Sequence, residues 1–321
     1  MGVASRADVA VIIATRNRAQ LLQGAIASIR AQVGVDWELA VVDDHSDDGT
    51  WAWLSQQEEE TISVAHQPRA MERSAARNRG MRMTTAPAIL FLDDDDGLAP
   101  DALARLTAAL QSEPGAVLAA GARRELRGGR LGRRNFHPKR VLVRDACWDM
   151  LLGWSPGTGQ VLFSRSAVEE VGGHDEGLSV AEDRDLLLRV AALGPAVLIP
   201  DSVGWWLVHE PPTCPYEEAL AAYHAVDERF VLSLEPESRA RAKRLLRGQA
   251  LWRQASLELG AGQGLAAAGS LLGAVREAPE YASSPIFRRR LAYQLLLAIR
   301  RTAIPQPLWT RLRELLGAPQ A

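Results

Sequence analysis

Short apolar runs and polar breaks alternate through the first part of the chain. Val9 to Ala14 (VAVIIA), Trp37 to Val42 (WELAVV), Ile62 to His66 and Ala88 to Leu92 (AILFL) have the look of strands, the first and last apolar enough to be covered on both faces. Helical spacing fills the intervals. Leu22, Ile26 and Ile29 recur at four and three residues in a segment that starts at Ala19, Thr50 to Gln57 forms a second helix, and Arg69 to Met83 a third, strongly basic one. Strand and helix in alternation predict an α/β domain built on an open sheet. Beyond Pro100 the pattern gives a helix over Asp101 to Gln111, a strand over Ala116 to Gly121 and a strand over Gly157 to Arg165. A short helix over Ser166 to Val171, a helix buried by Leu186 to Leu188, and a strand over Val203 to Glu210 follow.

From Pro211 the composition turns to Ala, Leu, Arg and Glu at helical spacing. The helices expected there are Tyr216 to Leu234, Pro236 to Leu259, Gly264 to Arg276, Ser284 to Arg301 and Pro307 to Leu316. The expected organisation is a domain over 1–210, with a first half at 8–100 and a second at 101–210, followed by an all-α region over 211–321. No internal sequence period marks the helical region as a repeat.

Composition narrows the class. The 321 residues are 47% apolar and 24% charged with a net charge of -2, which gives no global attraction to nucleic acid or anionic membranes. Cys147 and Cys214 lie far apart, make no metal spacing, and are read as free thiols in a reducing compartment. The N-terminal apolar run is too short for a signal peptide and no stretch approaches a membrane span of about 18 residues, so the expected location is cytoplasmic. Phe287 to Arg301 is apolar in the middle and basic at both ends. It suits a buried helix with extended arginines, and leaves open peripheral contact with the inner face of a membrane.

The candidate chemistry lies where strands end. Asp93 to Asp96 follow the apolar run Ala88 to Leu92 directly, and Gly97 and Pro100 close the turn, so four carboxylates stand at the carboxyl end of a buried strand. Open α/β sheets keep their ligands there, and a hard cation such as Mg2+ or Mn2+ relieves the mutual repulsion of the acids. The first strand ends in Thr15-Arg16-Asn17-Arg18, a hydroxyl and two guanidiniums suited to a phosphate or a nucleotide edge. The second ends in Asp43-Asp44. The segment Asp44-x-Ser46-x-Asp48-Gly49 superficially suggests a calcium loop, but Ser55 stands where that loop needs a bidentate Glu, so a helix-capping turn is the better account. Nine basic residues between Arg123 and Arg144, interrupted by Gly128-Gly129 and Gly132, suggest a mobile hairpin, either solvated or meeting an anionic acceptor. Glu182, Asp183 and Asp185 open the later helix, where the dipole favours acids, and Asp185 and Arg189 are spaced to pair. Trp205 and Trp206 fit a sugar platform or a core equally well.

VIIATRNR, VVDDHSDDGT, SAARNRG and FLDDDD, in this order and spacing, with VGGHDEGLSVAEDRDLLLRV later, resemble the GT-A glycosyltransferases, most closely the inverting family numbered two. The resemblance covers roughly residues 8 to 210. It implies a Rossmann-like mixed sheet flanked by helices and a nucleotide-diphosphate sugar bound through Mn2+ or Mg2+. Thr15 and Asp44 would sit at the nucleoside, Arg16 and Asn17 would join the nucleotide-sugar site, Arg77 or Asn78 would lie near the nucleotide, and Asp94 near the ribose or sugar. Asp93 and Asp95 match the family's Asp-x-Asp metal site, though Asp at all four positions leaves open which of Asp93 to Asp96 touches the metal. His209 matches a further ligand of many relatives. The Glu182-Asp183 pair matches the catalytic motif, with Asp183 the general base. The implied acceptor is a glycan, a lipid-linked or a small-molecule hydroxyl, in a setting such as polysaccharide biosynthesis. Two rivals remain: a nucleotidyltransferase, against which the glycine-free ATRNR turn counts, and a nucleotide-sugar-binding module without catalysis.

Overall fold

The computed structural model describes residues 7–134, 141–209, 214–284 and 286–300. The helix expected over Pro307 to Leu316 lies outside them. Among the described residues ten strands form one sheet: β1 (Val9–Thr15), β2 (Trp37–Asp43), β3 (Ile62–His66), β4 (Ala88–Asp93), β5 (Gly97–Leu98), β6 (Leu118–Arg127), β7 (Arg130–Arg134), β8 (Val141–Val143), β9 (Val161–Ser164) and β10 (Ala196–Leu207). Their order is β3-β2-β1-β4-β9-β6-β10-β5, with β7 on β6 and β8 on β10. Pairing is parallel from β3 to β4 and between β6 and β10; β9 runs antiparallel to both its neighbours, so the sheet is mixed.

The helices interleaved with these strands are α1 (Ala19–Arg30), α2 (Thr50–Leu54), α3 (Glu72–Arg82), α4 (Ala102–Gln111), α5 (Ala146–Leu151), α6 (Arg165–Glu170) and α7 (Glu182–Ala191). The apolar runs read as buried strands are buried: Val9 to Ile13 and Ile89 to Phe91 are 0% exposed, and Leu22, Ile26 and Ile29 of α1 cover one face. On α3, a methyl group on Gly80 would lie 2.6 Å from Ile12 Cγ2, so that helix approaches the sheet more closely than alanine permits.

The chain progresses from β1 through β2 to β3, then returns to place β4 on the other side of β1. This reversal opens a crevice at the carboxyl ends of β1 and β4, the usual ligand position in such sheets. In register, Ala14 pairs with Asp93 and Thr15 with Asp43, which brings the three strand-end motifs to one edge.

Two compact units divide the chain: Met1–Ala146 with Pro156–Val226, and Cys147–Ser155 with Asp227–Ala321. The first unit thus continues into α8 (Tyr216–Ser233), and a short internal segment belongs to the second. The second unit is helical, with α9 (Pro236–Gly260), α10 (Gly264–Glu277), α11 (Glu280–Ser283) and α12 (Arg288–Arg300). Leu245, Gln249, Trp252 and Leu259 form the buried stripe of α9. Trp252 stacks on Tyr281 at 4.7 Å between ring centres and Phe287 stands edge-on to both, while the Tyr281 hydroxyl donates to the Leu152 carbonyl at 2.7 Å. Arg244 forks onto Glu280 at 2.9 and 3.1 Å. No helix among the described residues is long and apolar enough to cross a membrane.

The segment expected to be a mobile hairpin is partly sheet. Arg123 and Arg124 lie on β6, paired with Gly204 and Trp205 of β10, and the turn at Gly128 and Gly129 adopts positive φ. Residues 135–140 of that segment lie outside the described ones. Gly157 to Arg165 likewise divides, into a 3-10 turn at Thr158–Gln160 and β9.

Candidate active site

A cleft of about 380 Å3 opens at the β1–β4 edge. Ionic side chains dominate its lining: Asp44, Glu72 and Asp93 to Asp96 against Arg16, Arg18, Arg73, Arg77 and Arg123. Among the described residues four non-glycine positions adopt positive φ, and the segments they shape surround this edge: Asn17 after β1, His45 after β2, Glu72 at the start of α3, and Ala181 at the N-cap of α7. Such conformations cost on the order of 1–3 kcal/mol each and persist where surrounding contacts over-determine them. For Glu72 the contact is visible, because Asp44 accepts the N–H groups of both Met71 and Glu72 at 2.8 and 3.0 Å. Asp44 is thus a wall of the cleft whose two oxygens hold the first turn of α3.

The acids after β4 do not share one environment. Oxygens of Asp93, Asp95 and Asp96 lie within 4.8 Å of one another. Asp94 turns aside, accepting the Thr15 hydroxyl at 2.7 Å and Arg18 Nη1 at 3.0 Å; burial pushes its carboxyl up from the ordinary range. Asp96 is more enclosed, accepting the Leu207 N–H at 3.0 Å and Arg123 at 3.3 Å, and burial followed by the Asp93 charge pushes it up to about 8. Asp95 takes Arg18 Nη1 at 2.8 Å and faces His209 Nε2 at 2.8 Å. A trio of hard carboxylate oxygens with an imidazole at its edge fits Mg2+ or Mn2+: the acids at this spacing repel until a cation joins them, and hard oxygen donors are the preferred ligands of these ions.

Arg77 organises the floor. Nearly fully buried, it donates Nη2 to Asp93 Oδ1 at 2.6 Å and Nη1 to Glu182 Oε1 at 2.8 Å, and so joins the β4 acids to the start of α7. Glu182 is thereby occupied, with Arg73 3.7 Å away. Asp183 is half-buried and accepts the N–H of Arg184 at 2.7 Å. Burial and then the neighbouring Glu182 charge raise its carboxyl, with the Arg184 N–H and Arg77 opposing. In turn the Asp183 charge, with burial second, holds the Tyr223 hydroxyl above its usual range, so a residue of α8 lies in the electrostatic reach of this acid. Asp185 is taken by Arg189 at 2.8 Å, as its spacing predicts.

Other expected residues have structural partners. Asn78 donates to the His174 carbonyl and to Glu176 at 2.9 Å and accepts the His174 N–H at 2.8 Å; it fastens the turn before α7 and does not line the cleft. Asn17 bridges to Ser46 and Asp47, joining the loops after β1 and β2. Arg16 lines the cleft and is exposed. Trp206 lines it with the Arg123 guanidinium 4.6 Å over its ring, whereas Trp205 covers Gly97, where a methyl group would lie 2.3 Å from the indole. Arg18, Arg73, Asp96 and Arg123 escaped individual assignment from sequence. Arg18 adjoins the Thr15-Arg16-Asn17 turn, but the long-range pairing that brings Arg123 here leaves no local signal.

The sequence pattern of glycosyl transferase family 2 matches residues 10–172. The succinoglycan biosynthesis protein ExoO of Rhizobium meliloti is 35% identical over 99 residues, 31% of this chain and 28% of ExoO. The GalNAc(5)-diNAcBac-PP-undecaprenol beta-1,3-glucosyltransferase of Campylobacter jejuni is 35% identical over 99 residues, 30% of this chain and 32% of the relative. Alignments with curated relatives span between 18% and 32% of those relatives' own lengths. The fold is that of S. aureus TarS 1-349 in complex with UDP-GlcNAc, at a TM-score of 0.61 and 16% identity over 98% of this chain and 93% of that one. A sheet that reverses at β1 and β4, a strand-end acid cluster facing the cleft, and a family match over half the sequence lead to one assignment: the chain belongs to glycosyl transferase family 2, with the GT-A fold.

Proposed function

We propose that this chain transfers a sugar from a nucleoside-diphosphate sugar to an acceptor hydroxyl with inversion, assisted by a divalent cation. The observation that carries the reading is the gathering of Asp93, Asp95 and Asp96 within 4.8 Å beside a cleft lined by five arginines. That combination suits a diphosphate, whose charge needs both a cation and guanidinium partners. Asp93 and Asp95, with Asp96 and the adjacent His209, would hold Mn2+ or Mg2+, which supplies charge neutralisation for the departing diphosphate.

The remaining roles belong to the chain. Thr15, Arg16 and Asp44 form the wall offered to the nucleoside, Asp94 fixes Thr15 and Arg18, and Arg77 fixes Asp93 relative to α7. Asp183 takes the acceptor proton as the hydroxyl oxygen bonds to the anomeric carbon and the bond from that carbon to the diphosphate oxygen breaks. Its raised pKa suits a base better than an ordinary carboxylate does, and Glu182, committed to Arg77, is the poorer candidate. UDP is the nucleotide to try first, because TarS of the same fold is described with UDP-GlcNAc. The Campylobacter jejuni relative's name specifies an undecaprenol-linked acceptor, which makes lipid-linked glycans the first acceptor class to test. Calorimetric titration of UDP with and without Mn2+ tests the reading: Mn2+-dependent binding supports it, and absence of binding by any nucleoside diphosphate contradicts it.

A further inference from the structure

Two side chains converge on one carboxylate oxygen in the cleft. Arg18 Nη1 lies 2.8 Å from Asp95 Oδ2 and 3.0 Å from Asp94 Oδ1, and His209 Nε2 approaches the same Asp95 Oδ2 at 2.8 Å. Asp95 also belongs to the trio proposed to hold the cation. A guanidinium on that oxygen and a divalent cation held by the same carboxylate would be like charges close together, in a site with less water than the open surface to screen them. Of the two, the arginine is the part built to yield. Its side chain is 37% exposed against 7% for Asp94 and 12% for Asp95, and it precedes α1 on the loop after β1.

The other arginines are placed differently. Arg77 is locked between Asp93 and Glu182, and Arg123 lies against Trp206 and Asp96. Arg16 is exposed where it lines the cleft, and Arg73 stands 3.7 Å from Glu182. Arg18 is the cleft arginine seen on Asp95, at 2.8 Å.

We propose that Arg18 is an internal counter-ion that competes with the divalent cation for Asp95 and, once displaced, turns its guanidinium to the donor's diphosphate. The inference rests on the metal-assisted reading above and adds that cation and donor binding are coupled through one side chain. Without donor, Arg18 opposes the cation. With donor, the diphosphate gives it a new partner, and the opposition becomes attraction.

The test is Mn2+ calorimetry on the full chain without nucleotide, followed by UDP titration at saturating Mn2+, for wild type, Arg18→Gln and Arg18→Lys. Arg18→Gln should bind Mn2+ alone about 5–10-fold more tightly and UDP about tenfold more weakly, opposite directions that a general loosening of the site does not produce. Arg18→Lys, which keeps the charge and loses the fork, should fall between, and it answers the question if the Gln variant fails to fold. Unchanged or weaker Mn2+ binding in both variants overturns the competition, and unchanged UDP binding overturns the transfer to diphosphate. If wild type binds UDP but no Mn2+, the metal-assisted reading itself fails and takes this inference with it, an outcome distinct from a variant-specific null.

Discussion

Arg77 and Glu182 meet at 2.8 Å, both about 5% exposed or less, and the other arm of the same guanidinium reaches Asp93 at 2.6 Å. One positive charge thus serves two acids from distant parts of the sequence, Asp93 lying 16 positions from Arg77 and Glu182 105. The consequence is geometric. The acid cluster at the end of β4 and the start of α7, where Asp183 stands, are held in fixed relation by a side chain with almost no access to water.

Breaking such a buried pair leaves uncompensated charge. Arg77→Met should lower stability by about 3–5 kcal/mol in denaturant unfolding, because Glu182 loses its close partner and Asp93 its tether. A loss below 1 kcal/mol would mean that water reaches these acids in solution.

The acid trio makes a second expectation. Asp95→Asn should abolish Mn2+-dependent UDP binding with little change in the unfolding transition, and Asp93→Asn should do so more weakly, since Asp93 is shared with Arg77. A charge pair in a partly screened site is worth on the order of 4 kcal/mol, enough to lose binding at any practical concentration. UDP titrations at saturating Mn2+ that match wild type would remove these residues from the donor site.

His174 gives a pH dependence of folding. Its ring packs edge-on against Phe91 at 4.6 Å, and burial, with Arg77 and Arg189 adding, holds its pKa well below the ordinary 6.5. Below that value the unfolded chain binds a proton that the folded chain does not, so the residue costs stability increasingly as pH falls and costs nothing above about 7. His174→Phe should therefore gain stability relative to wild type as pH is lowered from about 7 to about 5 in urea titrations. A difference independent of pH would show that the folded protein takes up the proton.

The strands that end at the cleft were legible because their residues obey a strong local rule: a run buried on both faces is apolar throughout, as in β1 and β4. The helical region was legible from spacing for the same reason. Elements defined by distant partners were not. β5 is two residues long and exists through Gly204 and Trp205, and β6 continues past Gly121 into basic residues because β10 pairs with it along its length. In the cleft, residue type announced charge and strand-end position announced place, but the partners decided each role. Asn78 is drawn to His174, Asp44 to the first turn of α3, and Asp96 is enclosed by the Leu207 N–H and Arg123, none of which a neighbouring residue signals.

The proposed single displacement depends on Asp183 as its base. The most direct measurement is sugar transfer from UDP-GlcNAc and other nucleotide sugars with Mn2+, comparing wild type with Asp183→Asn and reading the new linkage by its anomeric proton coupling. General-base catalysis contributes roughly 10² to 10⁴ in rate, so the variant should lose that much kcat with donor affinity little changed. Since the raised carboxyl must be ionised, the wild-type acid limb should lie above that of an ordinary aspartate. An inverted product and a crippled Asn variant are the predicted result; a retained configuration, or near wild-type kcat in Asp183→Asn, would contradict a single displacement with Asp183 as base.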